Sequence, residues 1–168
     1  IYNGELYNTE DLRSELLNLG YKFEGYSDTE VLLVSYIAWG IKAIEKFNGI
    51  FAFAIYDEKE KRVVLARDAM GVKPLFYSNK NSTFIFGSEI KTLLKHPLVE
   101  AVVDRDGLTE LFALGPANLP GSCVYRDIKE LKPGQLLVVK EDGIFKDMYY
   151  KLIAKEFNES ESEAVEHT

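Results

Sequence analysis

Residues 49–56 read Gly-Ile-Phe-Ala-Phe-Ala-Ile-Tyr, a near-continuous apolar run that begins where the helical spacing upstream stops. Such a run predicts a strand buried on both faces. The charged stretch Asp57-Glu58-Lys59-Glu60-Lys61 predicts a turn, and Arg62-Val63-Val64-Leu65-Ala66 returns as the partner strand. Working outward, Val72–Tyr77 and Thr83–Phe86 predict a second hairpin around Ser78-Asn79-Lys80-Asn81. Leu136–Val139 and Ile144–Tyr149 predict a last one around Glu141-Asp142-Gly143. Upstream the period is helical. Thr9–Leu19 places Leu12, Leu16 and Leu19 on one face and stops at Gly20. Tyr21-Lys22-Phe23 predicts a short strand. Ser27-Asp28-Thr29-Glu30 has the form of a capping box, launching a helix that ends at Gly40 before a short one over Ile41–Lys46. Downstream, a short helix over Glu89–Lys95 ends at His96-Pro97, and Asp104–Leu114 predicts another. Helices first, hairpins in the middle and mixed elements later predict an α+β sandwich.

Composition narrows the function classes. The 168 residues suit one domain, with or without a tail, and 46% hydrophobic with 28% charged content suits a soluble globular chain. Ten Phe and ten Tyr favour sheet-rich packing. A net charge of −7 without a basic cluster argues against nucleic acid as a partner. No apolar run is long enough to span a bilayer and no signal peptide is visible, so no membrane is expected and the cytoplasm is. One cysteine, Cys123, rules out an internal disulfide, and with only His96 and His167 beside it no zinc or other metal site is expected.

The chemistry-bearing candidates are few. Asn3-Gly4-Glu5 joins an amide with two N–H donors to a glycine whose own N–H a ligand can approach. Together these suit an oxyanion hole, and Glu5 suits a cationic group. The competing reading is a bend between strand and helix. Asp28 is accounted for by the helix dipole, yet an acid there also suits an α-ammonium group. Arg67-Asp68, Gly71 and Lys73-Pro74 form a charged corner between strands, read as structural: Arg67 and Asp68 tie backbone groups together. Cys123 has no neighbour that would lower its pKa and reads as a small core or loop residue.

In order, Asn3-Gly4-Glu5-Leu6-Tyr7-Asn8, Ser27-Asp28-Thr29-Glu30-Val31-Leu32, Asn48 to Asp57, Ala66-Arg67-Asp68, Gly71 to Tyr77, Ser88-Glu89-Ile90-Lys91 and Leu131-Lys132-Pro133-Gly134 resemble the glutaminase domain of glutamine-hydrolysing asparagine synthetases. That family is a class II glutamine amidotransferase. The resemblance implies an N-terminal-nucleophile hydrolase-like, four-layer αββα sandwich. It further implies that the Asn3 side chain and Gly4 backbone form the oxyanion hole, that Glu5 helps bind L-glutamine, and that Asp28 holds its α-amino group. The family's nucleophile is a cysteine at the mature N-terminus, whose own amine acts as base. Ammonia released there travels to a C-terminal synthetase domain that uses ATP and Mg2+ to activate aspartate; the glutaminase domain itself is expected to need no cofactor. The N-terminal cysteine is absent from this sequence and Cys123 cannot replace it, so the chain as written is expected to be inactive and its N-terminal strands missing. The expected division is an amidotransferase domain over 1–152 and an acidic linker over 153–168 towards the synthetase domain, with a homodimer possible. The alternatives are another class II amidotransferase, or a catalytically dead domain that serves as scaffold or interface.

Overall fold

The run at 49–56 becomes the second strand of a five-stranded antiparallel sheet. The computed structural model describes residues 1–115 and 119–154. Strands β1 (Tyr2–Leu6), β2 (Gly49–Asp57) and β3 (Arg62–Arg67) lie side by side, followed in space by β7 (Gln135–Lys140) and β8 (Gly143–Met148). A three-stranded antiparallel sheet has β4 (Phe76–Lys80) between β5 (Thr83–Gly87) and β6 (Lys129–Glu130). The helices are α1 (Thr9–Asn18), α2 (Asp28–Trp39), α3 (Ile90–Leu93) and α4 (Arg105–Leu114), with a 3-10 segment at Gly40–Lys46.

Alternation along each strand stacks these elements into four layers, because successive side chains leave a strand on opposite faces. Phe51 and Phe53 of β2, Val64 and Ala66 of β3, and Leu136 and Val138 of β7 pack against Leu12, Val31, Leu32 and Tyr36 from α1 and α2. The intervening residues, Ala52, Ala54, Leu65 and Leu137, face the second sheet and meet Leu75, Tyr77 and Leu131. The outer face of that second sheet, through Phe76 and Ile85, packs on Leu93, Val99 and Ile128. Burying Phe51 and Phe53 nearly completely stabilises the first interface by roughly 1.5–3 kcal/mol each. The order α, β, β, α is the expected sandwich.

Several local expectations need correction. Asn3-Gly4 is not a bend: it lies inside β1. Tyr21–Phe23 forms no strand, and Leu19 is exposed. Val72–Leu75 also stays outside the sheets, and β4 starts only at Phe76. The β4–β5 turn is the pair Asn81-Ser82, both with positive φ (51° and 58°), which matches a tight hairpin. Helix α3 covers only part of 89–95. The acidic tail from 155 onward, His167 included, lies outside the described residues.

Candidate active site

Among the described residues strand β1 lies at the edge of its sheet, and its hydrogen-bonding phase decides what it offers. Ile1 exchanges two backbone bonds with Ala54, at 3.0 and 2.9 Å, and the Tyr7 N–H donates to the Asn48 carbonyl at 2.8 Å. In an antiparallel ladder such pairs alternate with pairs that exchange none. The N–H groups of Asn3 and Glu5 therefore face β2, and those of Tyr2, Gly4 and Leu6 point out of the sheet at its free edge. Gly4 lies opposite Phe51. A Cβ on Gly4 would stand 2.3 Å from the Ile50 carbonyl oxygen and 2.7 Å from Phe51 Cα, so only glycine lets the two strands approach this closely.

Asp28, at the first turn of α2, closes one end of this edge. Its Oδ2 accepts the Leu6 N–H at 3.2 Å and the Tyr2 hydroxyl at 2.7 Å. Both bonds fall on one carboxylate oxygen, so Oδ1 is the oxygen left to meet a ligand. Burial first, and then the bonded Asp28 carboxylate, hold the Tyr2 hydroxyl well above the ordinary phenol range, so it stays a donor. Leu6 is two residues from Gly4, so Asp28 sits roughly 7 Å along the edge from the Gly4 N–H, at about 3.4 Å per residue. Asn3 and Glu5 are exposed on the face of the sheet turned away from α2. The structure thus gathers Asn3, Gly4, Glu5 and Asp28 on one strand edge, with Asp28 reaching it from the helix side and Asn3 and Glu5 from the other face.

The segment leading to Asp28 is clamped twice. Ser27 Oγ accepts the Glu30 N–H at 3.2 Å, as a helix cap does. Glu30 does not reach back to Ser27; its carboxylate accepts the N–H groups of Glu24 and Gly25 at 2.7 and 2.9 Å. Those two bonds pull its pKa below the ordinary 4.5. From the other side Arg13 donates to the Gly25 carbonyl at 3.0 Å, with its guanidinium 4.3 Å from the Phe23 ring centre. Sequence reasoning missed Tyr2, Arg13 and this use of Glu30. Nothing in the local pattern around Tyr2 points to Asp28, and the Arg13 contacts cross a loop, which no periodic signal marks.

Arg67 and Asp68 occupy the opposite side of β2. Asp68, 1% exposed, accepts the N–H groups of Phe51, Met70, Val72 and Lys73 at 3.0–3.2 Å, and its own N–H donates to the Phe51 carbonyl at 2.7 Å. Arg67 donates to the carbonyls of Gly71, Lys73 and Leu131 at 2.6–2.8 Å and pairs with Glu130 at 2.8 Å. Lys73 enters this network through its backbone. Phe51 is therefore fixed by Asp68 on one side and abutted by Gly4 on the other, so the corner supports the strand edge from behind. Beside the end of β1 a cleft of about 410 Å³ opens between Tyr7, Asn48 and Tyr149, with Asp68 and Met70 at its wall.

Cys123 packs against the outermost cluster, beneath α3, in the layer farthest from β1. Burial pushes its thiol pKa up, the opposite of what a nucleophile needs. Among the described residues no group of three or more His, Cys, Asp or Glu side chains is placed to hold a metal ion, and no helix is long and apolar enough to cross a membrane.

The family described as a glutamine amidotransferase domain matches residues 1–150. The chain is 50% identical over 165 residues to asparagine synthetase 3 (glutamine-hydrolyzing) of Bacillus subtilis, covering 98% of this chain and 27% of that protein. It is 36% identical over 143 residues to asparagine synthetase 1 (glutamine-hydrolyzing) of the same organism, covering 85% of this chain and 22% of that one. A putative asparagine synthetase 2 (glutamine-hydrolyzing) of Methanocaldococcus jannaschii is 36% identical over 156 residues, with 90% and 30% covered. The chain thus spans about a quarter of the length of these relatives. Among solved structures, the glutamine phosphoribosylpyrophosphate amidotransferase from B. subtilis superposes with a TM-score of 0.62 at 22% identity, covering 91% of this chain and 29% of that one. It shares the fold.

Proposed function

The chain belongs to the glutamine amidotransferase domain family, and from that premise we propose that it is the glutamine-hydrolysing domain of an asparagine synthetase. The observation that carries this reading is the free edge of β1, where the Gly4 N–H faces outward beside the Asn3 amide while Asp28 is held at Leu6. The Asn3 amide and the Gly4 N–H stabilise the oxyanion that forms when a thiolate attacks the side-chain carbonyl of glutamine. Asp28 Oδ1 takes the α-ammonium, and Glu5, on the same face as Asn3, contacts the substrate beside it. Ammonia leaves as the tetrahedral adduct collapses to a thioester, and water then releases glutamate and restores the thiol. The attacking group is an N-terminal cysteine of the intact protein; half-buried Cys123, its thiol pKa raised, is not suited to it.

The ammonia would pass to a C-terminal synthetase domain in the same polypeptide, where ATP and Mg2+ activate aspartate. The identity to synthetases over nearly the whole chain supports this pairing. The cytoplasm is the proposed compartment, in keeping with a single free cysteine. The test is glutamate release from glutamine by the intact protein. Asn3→Ala should lower turnover by about 100-fold or more, since one oxyanion donor is worth about 3 kcal/mol. An unchanged rate removes the oxyanion role.

A further inference from the structure

A second site lies on the far side of the sandwich, at the rim of the gap between the two sheets. The β4–β6 ladder is only two residues long and pairs Tyr77 with Lys129. Tyr77 belongs to the inter-sheet core, so Lys129 lies on the same inner face of the small sheet. From the large sheet, Lys146 of β8 pairs with Leu137, another inter-sheet residue, and so lies on the inner face opposite. Two lysines therefore approach the rim from facing inner faces that are otherwise lined by apolar side chains such as Leu131, Leu137 and Ile144.

A cavity of about 320 Å³ opens there, lined by both lysines together with Arg126 and Asn79, and with buried Tyr77 in its wall. The Lys146 ammonium stands 5.3 Å from the Tyr77 ring centre. The one carboxylate in the lining, Asp127, is already committed: its Oδ2 pairs with Lys80 at 2.9 Å, and Lys80 also holds Glu100 at 3.2 Å. Arg126, Lys129 and Lys146 have no carboxylate partner among the described residues. Three unpaired cations thus converge on one cavity in a chain whose net charge is −7. They come from two segments, the approach to β6 and strand β8, so the fold assembles the cluster; the sequence contains no basic run. Their mutual repulsion is relieved by a bound multivalent anion. Arginine and lysine donors with the Asn79 amide suit phosphoryl oxygens, and the volume suits a small molecule.

The geometry points to a binding site for a phosphorylated small molecule at Arg126, Lys129 and Lys146, separate from the β1 edge and independent of the glutaminase reading. The site is tested in the intact protein by amine-selective labelling read by mass spectrometry, with inorganic pyrophosphate titrated at constant ionic strength. Pyrophosphate should slow labelling of Lys129 and Lys146 by about tenfold at ten times its dissociation constant, and leave exposed Lys42 on the opposite layer unchanged. Arg126→Glu, an exposed substitution, should move the protection midpoint at least about tenfold higher. Protection absent up to about 10 mM, or equal at Lys42, would overturn the site, because general screening acts on every lysine alike. Protection by citrate as strong as by pyrophosphate would overturn the assignment to phosphate.

Discussion

Tyr2→Phe in the intact protein removes one hydroxyl and tests the assignment of Asp28 more finely than replacing Asp28 itself. The Tyr2 hydroxyl is 2.7 Å from Asp28 Oδ2, the oxygen that also accepts the Leu6 N–H at 3.2 Å. A hydrogen bond to a charged acceptor is worth about 1.5–3 kcal/mol. Part of that is felt with or without substrate and appears as stability. The remainder appears in binding, because a carboxylate held only by the longer Leu6 bond is free to turn Oδ1 away from the ammonium. A share of about 1–1.4 kcal/mol raises KM for glutamine by about 5–10-fold with kcat within about twofold. Asp28→Asn, which removes the charge, should raise KM by about 30–100-fold. In the Asp28→Asn background the Tyr2 effect on KM should vanish, since the two residues act through one contact. The assay is steady-state glutamate release alongside urea denaturation of the same variants. If Tyr2→Phe lowers stability and leaves KM untouched, the bond is a strut of the fold and the ammonium role of Asp28 fails. An equal Tyr2 effect in both backgrounds would show that Tyr2 acts by another route.

Gly4→Ala should destabilise the protein by about 2–3 kcal/mol in urea denaturation, because its Cβ meets backbone atoms of β2 that cannot swing aside. Asp68→Ala orphans four buried or half-buried N–H groups and should cost at least about 3 kcal/mol by the same measurement; a loss under about 1 kcal/mol would mean that water replaces the carboxylate. Burial, then the hydrogen bond to Asp57, pushes the Tyr36 hydroxyl from 10.0 up to about 12. Below pH 10 its contribution to stability is complete; as pH rises from 10 towards about 12 the unfolded chain ionises first and the contribution is lost. Tyr36→Phe should flatten the stability–pH curve over that interval, and an unaltered slope would contradict it.

The parts of the fold legible in the sequence are those in which one local rule acts alone. The apolar run of β2 had to be a doubly buried strand, and Ser27 and Gly40 bracket α2 by capping and by a positive φ of 61°. Where a distant side chain takes over the backbone, local reading fails. Val72 and Lys73 look like strand residues, yet Asp68 claims their N–H groups and Arg67 claims the Lys73 carbonyl, leaving nothing for a ladder. The stretch at 21–23 fails in the same way: Phe23 packs under Arg13 and the next two N–H groups go to Glu30. In the candidate site, Asn3-Gly4-Glu5 and Asp28 stood out by residue type. That they share one strand edge was not legible, because it depends on the phase of the β1–β2 ladder and on a tyrosine 26 residues from its partner.

The position of β3 also sets a clock on synthesis. One flank pairs at once with β2, but the other waits for β7, which the ribosome delivers about 70 residues later, or roughly 4–14 s at ordinary elongation rates. Gly134 and Tyr149, which bond the backbone of Asp68 and Arg67, arrive later still or with it. During that interval the nascent chain carries an unpaired, apolar edge at Val64, Leu65 and Ala66, while the β4–β5 hairpin closes locally beside it. The corner at Arg67 and Asp68 is therefore a late lock, and a ribosome paused before residue 134 holds an adhesive intermediate that a chaperone has reason to bind.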